Sequence, residues 1–525
     1  MPDIRTIEEH TRLIHALRNP KVYPHPVSEI VVVETHISTV LLTGHFAYKI
    51  KKPINFGYID FSTATRRQQF CEEELRLNRR LAPNLYLDII GIGGSLTHPV
   101  LGTSEPWEFM VKMRQFDQKG LLSNLARDKR LEARHIDAIT EQMARFHSRA
   151  KAAGPDEKWG EPETLFQPVL ANFAQIRPRL GNAEDISRMT RLAAWSDAEW
   201  QRLKTRFIAR KKEGKVRECH GDLHLGNIAL IEDKVTIFDG IEFEPALVWI
   251  DVMSEVAFFV MDLRERGFHF LAQRFLNGYL RQSGDYGGVG VLRFYLVYRA
   301  LVRAKVTLIR SEQLESAVGR EAALKEYQNY ILLAAYFTRP KPRVLIITHG
   351  LSGSGKSHFA QALAERLGLI QVSSDIERKR LFNIATHDRS GAERGMYSPE
   401  AHQHTYDRLA AIATELIRYG EQPIIDATFL DAASRARFQA LAEELDARFL
   451  ILACEAPPEL LRERVRARQT ANNDASDAGI DVLEKQLANR ASLSAEELAR
   501  TVRINAAAPL NQATIDLLRH RLDGK

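Results

Sequence analysis

The stretch that decides the fold is Gly350-Leu351-Ser352-Gly353-Ser354-Gly355-Lys356-Ser357. It fits the pattern G-x-x-x-x-G-K-[ST], in which a glycine-rich backbone wraps a phosphate group. A short apolar, β-branched run at residues 344–347 precedes it and predicts a strand. Apolar residues at helical spacing follow it over residues 359–367. A strand, a glycine-rich turn and a helix in this order predict an ATP or GTP site in the second half of the chain.

The residues of this loop have distinct predicted roles. Lys356 would reach the β- and γ-phosphates, and Ser357 would hold Mg²⁺. The backbone amides at the positive helix end would surround the β-phosphate. The residues that we expect to contact the nucleotide in this way are Gly350, Ser352, Gly353, Ser354 and Gly355. The alternative is a chance glycine-rich turn, which would not require the flanking strand and helix.

The size of the chain and its composition set wider limits. A chain of 525 residues is too long for one core, so at least two domains are expected. The net charge of +6 is compatible with anionic substrates but does not demonstrate nucleic-acid binding. Three widely spaced cysteines favour a reducing compartment without disulfides. The first ten residues have no apolar signal region, and no apolar run could span a bilayer, so we expect a cytoplasmic protein.

The pattern of strands and helices changes once along the chain. Short β-type runs and one amphipathic helix at residues 65–81 predict a small antiparallel sheet near the start, followed by mostly helical sequence. A basic, proline-bearing linker occupies residues 338–343. Beyond it, strands and helices alternate, which predicts a parallel sheet covered by helices. We therefore expect a first domain at residues 1–338 and a P-loop domain at residues 339–525.

The first domain contains a second candidate for phosphate chemistry. The segment at residues 219–228 places Asp222 and Asn227 on a tight loop, and a strand at residues 235–238 then ends at Asp239. Two carboxylates and an amide oxygen are suitable ligands and bases for a Mg²⁺–phosphate site. His220 could fix the loop by hydrogen bonding. The alternative is that the segment is a polar β-turn without a catalytic role.

The spacing H-G-D-x-x-x-x-N, followed by a strand that ends in Asp, resembles the aminoglycoside phosphotransferase family. That resemblance implies an α+β, bilobal, protein-kinase-like fold for the first domain. It implies that Asp222 is the base or orienter for an acceptor hydroxyl, and that Asn227 and Asp239 hold Mg²⁺. It also identifies the segment at residues 249–252 with the structural aspartate segment of the family.

The same resemblance gives the N-terminal sheet a function, because in this fold a strand lysine holds the α- and β-phosphates and pairs with a helix glutamate. Lys49 is our choice, and Lys51 is its rival because both lie on one face of the strand. Glu74 is preferred as the partner because it points toward the packed side of its helix. The glycine-rich loop of protein kinases is missing between the first strands, as aminoglycoside-kinase-like proteins also manage without the full motif, and Ser38 with backbone amides would cover the phosphates. Residues 107–113 would be either the hinge that contacts adenine or an ordinary sheet strand.

Further polar residues follow the strands of the second domain. Asp375 ends a strand signal and could accept a proton from an acceptor hydroxyl, hold Mg²⁺ through water, or simply cap a helix. Arg378 could clamp an anionic group. Asp426 ends the next strand and is a candidate metal carboxylate. Arg464 and Arg468 lie four residues apart on one predicted helix face, where they would either contact the nucleotide or form a solvated basic surface.

The second half resembles the small-molecule and polynucleotide kinase branch of P-loop proteins, and the spacing of Arg464 and Arg468 resembles the lid arginines of gluconate kinase. The polar segment at residues 470–479 carries no signature of that lid. The two resemblances together imply an α/β P-loop NTPase domain fused to an aminoglycoside-phosphotransferase-like domain. They imply ATP and Mg²⁺ as cofactors and a small hydroxylated molecule as the acceptor.

The hypothesis from the sequence is an enzyme with two ATP-dependent phosphotransferase sites, for which Asp222 and Asp375 supply the acceptor-side carboxylates. One alternative is a regulatory protein in which one ATP-binding domain controls the other. A second alternative is a nucleic-acid 5′-kinase, in which the arginine helix would contact a strand and binding would weaken steeply with salt. Neither the acceptors nor the oligomeric state follow from the sequence.

Overall fold

A computed structural model of the chain describes residues 4–57, 59–384, 396, 398–471 and 479–524. The chain divides into two compact units: unit 1 comprises Met1–Pro178 and Glu199–Asp262, and unit 2 comprises Arg179–Ala198 and Leu263–Lys525. Most of residues 470–479, the polar segment compared with a lid above, lies outside the described residues. Within the described part of the chain, no helix is both long enough and apolar enough to cross a bilayer.

Unit 1 is built on a six-stranded antiparallel sheet with the strand order β1-β2-β3-β6-β4-β5. These strands are β1 (Val31–Glu34), β2 (Ser38–Leu42), β3 (Phe46–Lys51), β4 (Tyr86–Gly94), β5 (Pro99–Leu101) and β6 (Glu108–Arg114). The predicted antiparallel sheet is confirmed, and the short edge strand β5 is an addition to it. One face packs Leu41, Tyr48, Ile50 and Met110 into a core against the first helix of the chain.

The strand β6 settles the two interpretations of residues 107–113. It pairs with β3 along one edge and with β4 along the other. The backbone groups of such an inner strand are used by its neighbours, so they cannot contact an adenine ring. Residues 108–114 are therefore an ordinary sheet strand.

The helices that begin in unit 1 are α1 (Ile7–Leu17), α2 (Ala64–Asn78), α3 (Leu122–Arg127), α4 (Ala133–Arg149), α5 (Pro162–Ile176), α7 (Pro245–Val248) and α8 (Val252–Glu265). Helix α6 (Ala183–Lys212) begins in unit 2 and continues into unit 1 at Glu199. Helix α2 starts at the N-cap Thr63, whose side chain accepts a hydrogen bond from the Arg66 amide. A buried ion pair between Arg67 of α2 and Glu108 of β6 fixes the helix to the sheet, with an Nη2–Oε2 distance of 2.6 Å. The predicted amphipathic helix is confirmed, and Glu74 faces its packed side.

Two small antiparallel sheets complete unit 1. They consist of β7 (Val216–Glu218) with β10 (Trp249–Asp251), and of β8 (Ile228–Ile231) with β9 (Lys234–Ile237). The loop at residues 219–227 connects β7 to β8, and β9 leads into Asp239. The two sheets thus hold both ends of the motif that the sequence indicates for phosphate chemistry.

Unit 2 contains a five-stranded parallel sheet with the order β12-β13-β11-β14-β15. Its strands are β11 (Val344–His349), β12 (Ile370–Ser373), β13 (Pro423–Asp426), β14 (Arg448–Glu455) and β15 (Thr501–Asn505). The prediction of a parallel α/β P-loop fold is confirmed. Strand β15 was not predicted, because it is short, lies at the sheet edge and alternates buried with exposed residues.

The remaining helices all belong to unit 2. They are α9 (His269–Ser283), α10 (Val289–Gln313), α11 (Ala317–Phe337), α12 (Lys356–Leu367), α13 (Ser374–Leu381), α14 (Pro399–Arg418), α15 (Ala432–Glu444), α16 (Pro458–Ala471), α17 (Ile480–Asn489), α18 (Ala495–Ala499) and α19 (Gln512–Asp523). Helices α9 to α11 precede the linker at residues 338–343 yet lie in the same compact unit as the parallel sheet. The division into domains at residues 338/339 stays a prediction about the sequence.

Candidate functional sites

The first candidate site centres on Asp222 in the loop between β7 and β8. The Nδ2 atom of Asn227 lies 2.9 Å from Asp222 Oδ2 and 3.0 Å from the Asp222 carbonyl oxygen. His224 Nδ1 accepts a hydrogen bond from the Gly226 amide, so its proton is on Nε2, which lies 3.3 Å from Asp222 Oδ2. Two donors therefore orient a carboxylate that is still about one-third exposed and open to an acceptor.

Asp239 follows β9 and has a left-handed backbone conformation, with φ of 62°. Such a conformation is uncommon outside glycine and turns the carboxylate out of the path of the strand. The amide nitrogen of Asn227 is 3.4 Å from the Asp239 carbonyl oxygen. Because that NH₂ group bonds to Asp222 and Asp239, the Asn227 Oδ1 atom is its available metal ligand. This oxygen and the Asp239 carboxylate form the hard, anionic donor set that suits Mg²⁺.

Both candidate lysines of β3 converge on Glu74. Lys49 Nζ lies 2.8 Å from Glu74 Oε1 and 2.7 Å from Asp239 Oδ1. Lys51 Nζ lies 2.7 Å from Glu74 Oε2 and forms a second ion pair with Glu242. The structure thus brings Lys49, Glu74 and Asp239 together, while Lys51 lies deeper, with its side chain fully buried.

The charges of this group follow from burial and pairing. Burial opposes ionisation of Glu74, but Lys49 and Lys51 outweigh it and lower the pKa of Glu74 to about 2. Burial also opposes the charge on Lys49, yet Asp239 and Glu74 raise its pKa well above the usual value. Glu242 differs, because burial raises the pKa of its carboxyl despite the nearby Lys51. Lys49 is therefore firmly charged, and its ammonium group contacts both Glu74 and Asp239, the candidate metal carboxylate.

The loop at residues 219–227 is held by a carboxylate that sequence reasoning missed. Glu255 of α8 accepts hydrogen bonds from the backbone amides of His220 at 3.2 Å and Gly221 at 2.6 Å, and His147 Nε2 lies 2.8 Å away. Burial opposes its ionisation, but the hydrogen bond and charge of His147 and the Gly221 amide lower the pKa of Glu255 to about 2. Cys219 also lies in this cluster. Three donors occupy the Glu255 carboxylate, so the cluster is a hydrogen-bonded anchor for the loop.

A second acidic residue of α8 supports the same loop. Asp262 Oδ2 accepts a hydrogen bond from the Leu225 amide at 2.9 Å. Glu255 and Asp262 are seven residues apart, on one face of an otherwise apolar helix. Acidic residues at helical spacing in an apolar helix are the sequence signal that could have found this anchor. Asp251, in the segment compared with the family's structural aspartate, instead forms a buried ion pair with Arg210 of α6, at 2.5 Å.

The second candidate site is the P-loop of unit 2. Gly353 and Gly355 have φ of 82° and 75°, in the left-handed region that favours glycine. A Cβ atom on Gly353 would lie 2.8 Å from the Leu461 carbonyl oxygen, so a side chain has no room there. The Ser352 amide donates to Gln486 Oε1 of α17 at 2.8 Å. The loop therefore has the curled backbone that phosphate binding requires, directly before α12.

Burial shifts the pKa values of the polar groups next to this loop. Lys356 Nζ donates to the Leu351 carbonyl oxygen at 2.9 Å, and burial lowers its pKa although Asp426 acts in the opposite direction. Burial raises the pKa of Asp426 to about 6, against the effects of a hydrogen bond with Ser357 and of the Lys356 charge. Ser357 and Asp426 thus meet at the end of β13 and form the oxygen pair that a Mg²⁺ ion would contact.

Asp375 and Arg378 lie together at the start of α13. Arg378 Nη1 is 3.1 Å from Asp375 Oδ1, and the Asp375 side chain is about one-third exposed. The N-cap of this helix is Ser373, so Asp375 lies in the first turn and the capping interpretation of Asp375 is wrong. The charge of Asp375 also opposes the lowering of the Lys356 pKa by burial, after the larger effect of Asp426.

The two arginines of α16 lie beside the same loop. Arg464 Nη2 donates to the Ala506 carbonyl oxygen at 2.8 Å, and Arg468 is near enough to Lys356 to lower its pKa. Arg464 and the segment at residues 506–509 line an open cavity of about 500 Å³ next to Gly355. This cavity has the size of a small-molecule site and lies next to the P-loop.

Comparisons with known proteins agree with this architecture. Residues 61–294 match the model of a phosphotransferase enzyme family, and residues 345–493 match that of an AAA domain. The fold and the two matches define the chain as an ATP-dependent kinase, with a phosphotransferase domain followed by a P-loop kinase-like domain.

Full-length relatives then place the chain in a family. The uncharacterized proteins Rv2004c of Mycobacterium tuberculosis (strain ATCC 25618 / H37Rv) and Mb2027c of Mycobacterium bovis (strain ATCC BAA-935 / AF2122/97) are each 31% identical to it over 457 residues. The alignments cover 86% of this chain and 89% of each relative. The chain belongs to the same family as these mycobacterial proteins.

Solved structures resemble separate parts of the chain. Aminoglycoside 2′-phosphotransferase-IIIa in its GDP complex is 12% identical, with 61% of this chain and 98% of that chain covered and a TM-score of 0.38. A gluconokinase from Sinorhizobium meliloti 1021 is 20% identical, with coverages of 35% and 97% and a TM-score of 0.26. At these values we draw no conclusion about the substrate.

Proposed function

We propose that the chain is an ATP- and Mg²⁺-dependent phosphotransferase with two separate kinase-like sites. Each site would transfer the γ-phosphoryl group of ATP to a hydroxyl of a small molecule. One observation carries the proposal: each unit contains a lysine that is buried or half-buried, a metal-type carboxylate and a partly exposed acceptor-side carboxylate. The first set is Lys49, Asp239 and Asp222, and the second is Lys356, Asp426 and Asp375.

In the first site, Lys49 would leave Asp239 and contact the α- and β-phosphates, while Glu74 keeps its ammonium group in place. Mg²⁺, when bound by Asn227 and Asp239, would neutralise charge on the β- and γ-phosphates. Asp222 would accept the proton of the acceptor hydroxyl while the oxygen of that hydroxyl forms a bond to the γ-phosphorus. The bond between the γ-phosphorus and the β–γ bridging oxygen breaks, and ADP leaves with that oxygen.

In the second site, the amides of the P-loop and Lys356 would hold the β- and γ-phosphates. Ser357 and Asp426 would hold Mg²⁺, which supplies the same charge neutralisation. Asp375 would accept the acceptor proton, and Arg378, already bonded to it, would steady the transferred group. Arg464 would contact the nucleotide in the neighbouring cavity.

The test is ATP consumption by the purified full-length protein against sugars, other hydroxylated metabolites, aminoglycosides and nucleic-acid 5′ ends. It is run on the wild type, Asp222→Asn and Lys356→Ala, with the exposed residues Asp233→Asn and Lys325→Ala as matched controls. An acceptor whose phosphorylation is lost in one variant, and kept in the other variant and both controls, identifies the site and its substrate together.

Two results would contradict the proposal. If both site variants phosphorylate the same acceptor at the wild-type rate, neither site is responsible for the activity. If the wild type binds ATP at both sites but phosphorylates no acceptor, the alternative of a regulatory nucleotide-binding protein takes its place. Turnover of 5′ ends that falls steeply with salt would instead support the nucleic-acid 5′-kinase.

A further inference from the structure

Within unit 2, helix α9 covers the edge of the parallel sheet next to strand β12. Asn277 Nδ2 donates to the Leu369 carbonyl oxygen at 3.0 Å, and Asn277 Oδ1 accepts from the Gln371 amide at 2.9 Å. Gln273, one turn earlier, donates to the same Leu369 oxygen at 2.8 Å. Both side chains are buried. Two amide side chains of α9 thus satisfy backbone groups that an edge strand would otherwise leave unpaired.

The Gln371 side chain continues this path toward the P-loop. Its Nε2 atom lies 3.1 Å from Asp426 Oδ2 and 3.4 Å from the Ser357 carbonyl oxygen. Strands β12 and β13 are paired in parallel, with Gln371 beside Ile424 and Ser373 beside Asp426. A continuous chain of hydrogen bonds therefore runs from Asn277 through Gln371 to the candidate metal carboxylate.

We propose that Gln371 is a positioning residue for the Mg²⁺ ligand Asp426, and that Asn277 of α9 fixes Gln371 in turn. This inference rests on the proposed function of the P-loop site. A carboxylate has several orientations, and a donor on one oxygen leaves the other oxygen directed at the metal. Gln371 also contacts the carbonyl oxygen of Ser357, the residue whose hydroxyl is the second candidate ligand.

The inference also explains a feature of the chain organisation. Asn277 lies within the residues that match the phosphotransferase enzyme family, whereas Gln371 and Asp426 lie within the AAA domain match. The P-loop site is therefore completed by a helix from the preceding family segment. A P-loop domain cut at residue 339 would lack the helix that fixes its edge strand.

The experiment measures ADP affinity of the full-length protein with saturating Mg²⁺ and with EDTA. It uses an Asp239→Asn background, so that the first site contributes little to the Mg²⁺ effect. The ratio of the two affinities reports how well Mg²⁺ is held at the P-loop. We expect Gln371→Met to lower this ratio about tenfold, as loss of a group that orients a metal ligand typically does. Asn277→Leu should lower it less, because Gln371 would keep its bond to Asp426.

The matched control is Gln273→Met, which removes a bond from the same helix to the same carbonyl oxygen without contacting Gln371. It should leave the ratio unchanged. If Gln371 only stabilised the fold, Gln371→Met would weaken ADP binding equally with and without Mg²⁺. The ratio of the two affinities would then be unchanged, and this result would overturn the inference. If Gln371→Met does not fold, the ratio in Asn277→Leu decides the question, and a wild-type value there also overturns it.

This result is separable from the proposed function. A wild type that binds ADP with Mg²⁺ but phosphorylates no acceptor would contradict the proposed activity and leave the positioning role intact. Normal phosphorylation together with an unchanged Mg²⁺ ratio in Gln371→Met would contradict the positioning role alone.

Discussion

Replacing Glu255 by glutamine should destabilise unit 1 and disable its candidate site. The carboxylate accepts two backbone amides of the loop that carries Asp222, and His147 donates to it as well. In Glu255→Gln, one oxygen becomes an NH₂ group that faces these donors. At least one buried amide then has no acceptor, which costs about 1–3 kcal/mol.

The pKa of Glu255 gives an independent magnitude. Its usual value of 4.5 is lowered to about 2 in the folded protein. A difference of this size corresponds to about 3 kcal/mol of stability. Because the folded pKa is depressed, the contribution is complete above the unfolded pKa and is lost as the pH falls through the folded pKa. About 2 kcal/mol of it should be lost between pH 7 and pH 3.

The assay is urea unfolding followed by tryptophan fluorescence at pH 7 and at pH 3. Four of the five tryptophans, Trp107, Trp159, Trp200 and Trp249, lie in unit 1, so the signal reports mainly on that unit. We expect the free energy of unfolding of the wild type to exceed that of Glu255→Gln by about 3 kcal/mol at pH 7 and by about 1 kcal/mol at pH 3.

The matched control is Glu141→Gln on the surface of α4, which should change stability by less than about 0.5 kcal/mol. A difference between the wild type and Glu255→Gln that stays the same at both pH values would refute the reasoning. It would mean that Glu255 is not an ionised anchor in the folded state.

Three further substitutions test the buried groups of the two units. Lys49→Met should reduce phosphorylation at the first site by about 100-fold without unfolding unit 1, whereas Lys51→Met should destabilise unit 1 by about 3 kcal/mol because it leaves buried carboxylates unpaired. Steady-state kinetics measures the first effect and urea unfolding the second. Equal effects of the two substitutions would contradict the distinction between the lysines. Gly353→Ala should weaken nucleotide binding to the P-loop at least about tenfold, since its backbone is left-handed and a Cβ atom would meet a carbonyl oxygen; equilibrium binding of a fluorescent nucleotide checks this, and wild-type affinity would count against the loop geometry. Arg67→Met should lower the stability of unit 1 by about 3–5 kcal/mol, because it leaves a buried glutamate unpaired; a midpoint in urea equal to that of the wild type would disprove it.

The sequence was most informative where the chemistry is local. The P-loop, its strand and its helix are consecutive, so glycine spacing and apolar periodicity predict them without any tertiary knowledge. The strand at residues 46–51 was predicted with its correct bounds. Its two lysines could not be separated, because alternation places them on one face and both in fact contact Glu74. Their second partners distinguish them, because Lys49 contacts Asp239, 190 residues away, whereas Lys51 contacts Glu242.

The partners of the supporting groups were not predictable, because they lie far away along the chain. Glu255 lies 34 residues after Gly221, and Asn277 lies 94 residues before Gln371. Nothing in the local pattern of either segment indicates its partner, since a buried acid or amide in a helix identifies only that some donor or acceptor must exist. The hinge interpretation of residues 107–113 failed differently: a strand pattern does not show whether both edges are paired.

The charged groups of the first site are already paired with one another, whereas burial shifts the pKa values of those in the second site. This difference has a consequence for ligand binding. In the first site, Lys49 is already neutralised by Glu74 and Asp239, and its pKa is raised. ATP and Mg²⁺, if they bind as proposed, would separate Lys49 from Asp239 and replace one ion pair by two others. In the second site, burial lowers the pKa of Lys356 and raises that of Asp426. Each of these groups would gain a partner of opposite charge if phosphate and Mg²⁺ bind as proposed. Binding of the nucleotide with its metal should therefore shift the pKa values of Lys356 and Asp426 back toward their usual values, whereas in the first site it would only exchange the partners of charges that are already paired.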